Sequence, residues 1–145
     1  MRTLLDSWVF WALMSAGFAS LTAIFGKIGV AGVDPDYATF LRTIVILAFA
    51  GALVWARGVA QPLTSLSTRT LVFLALSGLA TGVSWLCYYR ALSLGQAAQV
   101  APIDKLSVVL VALMGAAFLG ESLSLRNWLG VAMVAGGAVL VGLKG

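Results

Sequence analysis

Two stretches of this chain, Ser7 to Gly26 and Thr70 to Tyr89, each run for about 20 residues without a charged side chain. A helix rising 1.5 Å per residue crosses a hydrocarbon core of about 30 Å in that length. Asn127 to Leu143 is shorter but still sufficient. Tyr37 to Ala56 and Ala97 to Gly120 reach spanning length only if Arg42 in the first, and Asp104 and Lys105 in the second, are tolerated in the membrane. The spacing therefore predicts an all-α polytopic membrane protein, a single domain over 1–145 with five transmembrane helices near 5–25, 37–56, 70–90, 97–120 and 127–143.

Composition agrees. At 61% hydrophobic and 10% charged residues, a soluble domain of 145 residues would have no interior large enough to hide its apolar side chains. Arg2 precedes the first apolar run as it would in a secretory signal, but the run is too long and no small-x-small site closes it, so it reads as a mature span. With no His and with Cys87 as the single Cys, neither a His or Cys metal site nor an internal disulfide can be built from one chain. No metal or cofactor is expected, and Cys87 reads as a packing residue. The nine basic residues are scattered singly and form no nucleic-acid patch. A Ser-His-Asp set is impossible, and neither a phosphate loop after a strand nor a carboxylate cluster is present, so the chain does not read as an enzyme.

The connections are short. "GKIGVAGVDPDY" holds Lys27, Asp34 and Asp36 around three glycines and Pro35, "WARG" ends the second span with Trp55 and Arg57 as interface anchors, and "VAQPLTSLSTR" is the longest and most polar loop. Five spans place the termini on opposite sides. Arg2, Arg57, Arg69 and Arg126 then lie on one side, and Lys27, Arg90 and Lys144 on the other, once the embedded Arg42 and Lys105 are set aside. Four against three is almost no orienting bias. A chain with no preferred inside can insert both ways, and two opposed copies would form an inverted pair, so the expected state is an antiparallel homodimer.

Chemistry concentrates in the fourth span, in "AQVAPIDKLSVVLVALMG". Asp104 lies about 10 Å along a helix starting at Ala97, where each embedded charge costs about 2.5–3.5 kcal/mol at the span centre unless compensated. Pro102 has no amide hydrogen, so the Ala98 carbonyl loses its helical donor and the helix should bend there. Adjacent helix positions point about 100° apart, so Asp104 and Lys105 are expected not to satisfy each other. Arg42 and Lys27 are the expected partners of Asp104. Asp104, Lys105, Arg42, Pro102 and Gln99, with Trp85 and Tyr89 as an apolar wall, form the expected translocation path; the alternative is a structural charge network with Lys105 snorkelling to the interface. Gly78 and Gly82 on the third span, and Ala132, Gly136 and Gly137 on the fifth, are expected to serve helix packing or dimerisation. Glu121 in "LGESLS" is expected to face water or cap the next turn.

"TAIFGKIGVAGVDPDYATFLRT" and "YYRALSLGQAAQVAPIDKLSVVLVALMGAAFLGESLSLRNWLGVAMVAGGAVLV" resemble the EamA domain of the drug/metabolite transporter superfamily in its short bacterial, single-unit form. The likeness spans nearly the whole chain and is most specific from Gln96 to Gly137, with the fourth-span Pro, the "FLGE" ending and the Gly-rich fifth span in order; Arg42 matches the second-span Arg. The resemblance implies one half of an inverted-repeat transporter fold, since longer members carry two such units around a central cavity, and a single unit must dimerise to rebuild it. Spans one to four would line that cavity, with the fifth outside, in a bacterial inner membrane. Small four-helix exporters of the same superfamily use a first-span Glu for proton-coupled drug binding. Here no acid lies between Asp6 and Asp34, leaving Asp104 as the embedded carboxylate that would replace it.

The expected function is alternating-access transport of a small metabolite or drug, possibly coupled to protons through Asp104. Arg42 would balance Asp104 or bind an anionic group. The competing classes are a non-transporting membrane subunit or scaffold whose embedded charges dock a partner, and an enzyme acting on a lipid head group, for which no catalytic base is visible.

Overall fold

The structure, a computed structural model, describes residues 6–143. Arg2 and Lys144 of the charge balance, and the expected helix start near Leu5, lie outside the described residues. The elements are α1 (Trp8–Gly29), α2 (Pro35–Arg57), a 3-10 turn (Leu63–Ser65), α3 (Thr68–Leu94), α4 (Ala97–Asp104), α5 (Ser107–Phe118) and α6 (Leu125–Gly142), and there is no strand among the described residues. With α4 and α5 counted together as Ala97–Phe118, five segments are long and apolar enough to cross a membrane. The protein is an all-α membrane protein.

Helix ends follow from local chemistry. α2 starts two residues earlier than expected, because Asp34 caps it: Oδ1 accepts from the N–H groups of Asp36 at 2.9 Å and Tyr37 at 3.1 Å, and Pro35 presets the first helical turn. α2 ends at Gly58, whose φ of 60° lets its N–H and that of Val59 turn back onto the last carbonyls. α1 runs past Phe25 to Gly29 and carries Lys27 in its last turn. α3 runs past Arg90 to Leu94. Ser124 opens α6 by accepting from the Asn127 N–H at 3.3 Å.

The expected single helix over 97–120 is instead two. The helical i to i+4 pattern gives way to i to i+3 bonds: Lys105 N–H donates to the Pro102 carbonyl at 3.1 Å, Leu106 to Ile103 at 3.0 Å, Val108 to Lys105 at 3.0 Å and Val109 to Leu106 at 3.0 Å. Pro102 explains an interruption in this span, since it removes one donor and crowds the preceding turn. The break nevertheless falls three residues after the proline, at Lys105–Leu106, and not at Ala98 as the missing donor alone suggests.

The chain divides into two compact units, one comprising the described parts of Met1–Lys27 and Leu94–Gly145, the other Ile28–Ser93. In the first, α6 packs on α4 and α5. Its covered stripe is Val131, Ala135, Ala138 and Gly142, at i, i+4, i+7 and i+11, with Ala138 buried. Gly142 lies so close to Ile103 of α4 that an added Cβ would overlap that side chain. Lys27 Nζ donates to the Gly95 carbonyl at 2.7 Å, joining the end of α1 to the start of α4. The small residues expected to pack α6 lie off this stripe: Ala132, Gly136 and Gly137 are exposed, and nothing lies within 4 Å of a Cβ built on either glycine. Gly78 and Gly82 of α3 are likewise exposed and open.

Large apolar side chains stay exposed along the spans, Phe18, Phe49, Phe73 and Met133 among them. This is the surface a lipid solvent calls for, because hydrocarbon removes the drive to hide such groups and leaves close packing to hold helices together. Replacing Gly142 by Val should therefore lower stability by about 1–3 kcal/mol, read as a lower thermal midpoint in detergent, whereas Gly51→Ala, where no atom lies within 4 Å, should lower it by no more than about 0.5 kcal/mol. Equal midpoints for Gly142→Val and the parent chain would contradict this packing.

Candidate functional site

In the first unit the helix break presents a charge pair. Lys105 Nζ lies 3.1 Å from Asp104 Oδ2, with side-chain exposures of 56% and 34%. This corrects the expectation that the two cannot satisfy each other. The 100° argument holds for a continuing helix, but α4 ends at Asp104, and the long Lys105 stem starts from a turn that lets the ammonium fold back. Asp104 thus has a counter-ion one residue away. Pro102 and Gln99 are both half-buried on α4, and Gln99 lies one turn before Ile103, the residue that meets Gly142.

In the second unit α2 and α3 are joined by two polar contacts. At the end of α3 that meets the start of α2, Arg90 pairs with Asp36 at 3.3 Å; both side chains are more than half exposed, so the pair contributes little energy. Six residues further along α2, the Arg42 guanidinium carbon lies 3.3 Å from the centroid of the Trp85 ring and 5.5 Å from that of Tyr89. Trp85 meets Tyr88 edge-on at 5.4 Å and Tyr89 at 6.0 Å, and Tyr89 is buried. Thr39, also buried, and Thr43 return their hydroxyls to the α2 backbone at 2.8 Å each and so present no free donor to a neighbour.

The structure therefore brings Arg42, Trp85 and Tyr89 together, as it does Asp104, Lys105 and Pro102, each set within its own unit. Within its own unit Asp104 is met by Lys105. Arg42 gains a different partner. Stacking on a desolvated indole is worth about 2 kcal/mol, against about 2.5–3.5 kcal/mol for an Arg at a span centre. The ring covers one face of the cation and leaves its in-plane N–H groups with no acceptor among the described residues.

A third feature was not legible as a site. Glu121 is exposed, as expected, but its carboxylate folds back over Gly115: a Cβ there would sit 2.6 Å from Oε2. The Glu121 N–H donates to the Gly115 carbonyl at 3.1 Å, and Gly120 at φ 68° makes that reversal possible. The carboxylate borders a cleft of about 350 Å³, otherwise lined by apolar side chains of α5, Val111, Met114 and Phe118 among them. The signal was the glycine six residues before Glu121, which periodicity alone treats as one more small residue.

Among the described residues there is no cluster of His, Cys, Asp and Glu that could hold a metal ion.

Comparison with known proteins identifies the family. The model of the EamA-like transporter family matches residues 6–143. A protein from Sinorhizobium sp., described as an uncharacterized transporter in the cobO 3' region, is 60% identical over 136 residues, covering 94% of this chain and 96% of that protein. No solved structure matches. With five apolar spans among the described residues, a family match over all of residues 6–143 and a relative 60% identical over nearly the whole chain, the chain belongs to the EamA-like transporter family.

Proposed function

We propose that the protein moves a small molecule by alternating access, as a pair of oppositely inserted chains that together enclose the substrate cavity in a bacterial inner membrane. The observation that carries this reading is the interruption of the fourth span at the Asp104–Lys105 pair. Broken membrane helices are tolerated where they line protein or water, and transporters place substrate and coupling-ion sites at such breaks. The near-absence of orienting charge favours the inverted pair. The bacterial source of the 60% identical relative, itself described as a transporter, favours the location and the activity.

Asp104 is the proton carrier in this scheme. Ionised, it holds Lys105 in a neutral pair; protonated, it releases the ammonium and leaves the pair with one net positive charge for an anionic group to meet. Substrate and proton then compete for, or share, one switchable pair. Gln99 and Pro102 line the approach, and the exposed Ala132, Gly136 and Gly137 of α6, or Gly78 and Gly82 of α3, offer close backbone approach to the second copy.

Asp104→Asn should abolish the dependence of uptake on an imposed pH gradient, with at least a tenfold loss of gradient-driven accumulation in proteoliposomes; full gradient-driven transport in that variant would remove the assignment. Reporters fused to the C-terminus should give signal on both sides of the membrane in one population of cells. A one-sided signal would sink the antiparallel pair.

A further inference from the structure

Arg42 identifies the kind of substrate. We propose that the transported molecule carries a monovalent oxyanion, a carboxylate or phosphate diester of a small organic metabolite, held edge-on by the Arg42 guanidinium while Trp85 backs its face. This rests on the reading of the chain as a transporter.

Three observations lead there. First, Arg42 stands about 10 Å along α2 from its start at Pro35, within an otherwise uncharged span from Tyr37 to Ala56. An embedded cation of this kind marks a functional position and calls for a negative partner. Second, the carboxylates near it are committed elsewhere: Asp36 pairs with Arg90 at 3.3 Å, and Asp34 caps α2 through the N–H groups of Asp36 and Tyr37. Third, the geometry leaves one kind of vacancy to fill in the cation's bonding. With the Trp85 ring 3.3 Å from the guanidinium carbon, one face is closed, and attraction to the ring satisfies charge but accepts none of the N–H groups. The remaining donors lie in the guanidinium plane as a fork, the arrangement that carboxylate and phosphate oxygens match in pairs.

The aromatic backing also argues for a ligand and against simple structural pairing. Trp85 is itself buttressed by Tyr88 and by the buried Tyr89, so the guanidinium plane is fixed before any anion arrives. A preset fork loses little freedom on binding, which is what a site that must load and release repeatedly requires. Single charge follows from balance: one oxyanion on Arg42 leaves the embedded part of α2 neutral, whereas a dianion would carry an uncompensated charge into the bilayer.

Trp85 supplies the readout. In the full-length chain in lipid-free detergent, with Trp8, Trp11, Trp55 and Trp128 replaced by Phe, Trp85 is the sole indole. Titration with dimethyl phosphate and with acetate, both monovalent anions, at constant ionic strength should change its emission saturably, and tetraethylammonium should not. Arg42→Gln should abolish the response. Arg42→Lys, which keeps the charge but loses the fork, should weaken apparent affinity about tenfold and serves as the deciding variant if Arg42→Gln does not fold. A lipid phosphate is the other source of this chemistry. If short-chain phosphatidylglycerol gives the same response and phosphatidylglycerol vesicles abolish that of the soluble anions, the cation is held by lipid and the proposal falls; a response that persists in those vesicles supports it. It also falls if neither anion acts on the parent chain, or if the response survives Arg42→Gln. A chain that fails this titration yet shows Asp104-dependent, gradient-driven uptake keeps its transport role and loses only the oxyanion class.

Discussion

Every backbone N–H and C=O that lies in hydrocarbon must find its partner within the protein, and this constraint governs the whole chain. It makes helix the spanning form of each apolar run and moves the exceptions to places where something else takes over the bonding. The one exception within a span is at Lys105–Leu106, where the ladder tightens to i to i+3 bonds, so the carbonyls of Pro102, Ile103, Lys105 and Leu106 each accept a local N–H. A break that keeps its backbone bonded is one a membrane protein can sustain, and it gives two charged side chains a turn in place of a rigid helical register.

The embedded charges are met by two different means. Asp104 and Lys105 neutralise each other at 3.1 Å. Arg42 is met by the π-face of Trp85, a contact that no change in protonation removes and that leaves the hydrogen-bonding edge of the cation available. Their separation in sequence, on the fourth and second spans, is why the charges look like isolated oddities when the chain is read linearly.

The spans were legible because lipid selects on length and charge, and both are visible in a run such as Thr70–Tyr89. Their ends were less so. Asp34 and Pro35 form an N-cap and first-turn pair, but a polar, Gly-rich connection hides where that pair begins to act, and Lys27 belongs to α1 even though it looks like loop. The proximity of Arg42 to Trp85 was beyond linear reading, since it depends on the register in which α2 and α3 pack. The Asp104–Lys105 contact was misread for a different reason: ideal helix geometry was applied across a position where the helix stops. On α6 the Gly-rich face drew attention, yet the covered stripe runs through Val131, Ala135, Ala138 and Gly142, because packing within the chain depends on which small residue meets a neighbour and not on how many there are.

The central claim is that the broken fourth span borders a path open to water. On a Cys87→Ala background, Ala101→Cys, Asp104→Cys and Val108→Cys variants in native membranes, treated with a membrane-impermeant thiol reagent, measure this directly. Labelling at these positions at a rate approaching that of Thr64→Cys in the polar loop is the predicted result. Silence at all three, with Thr64→Cys fully labelled, would show a packed seam and contradict the account.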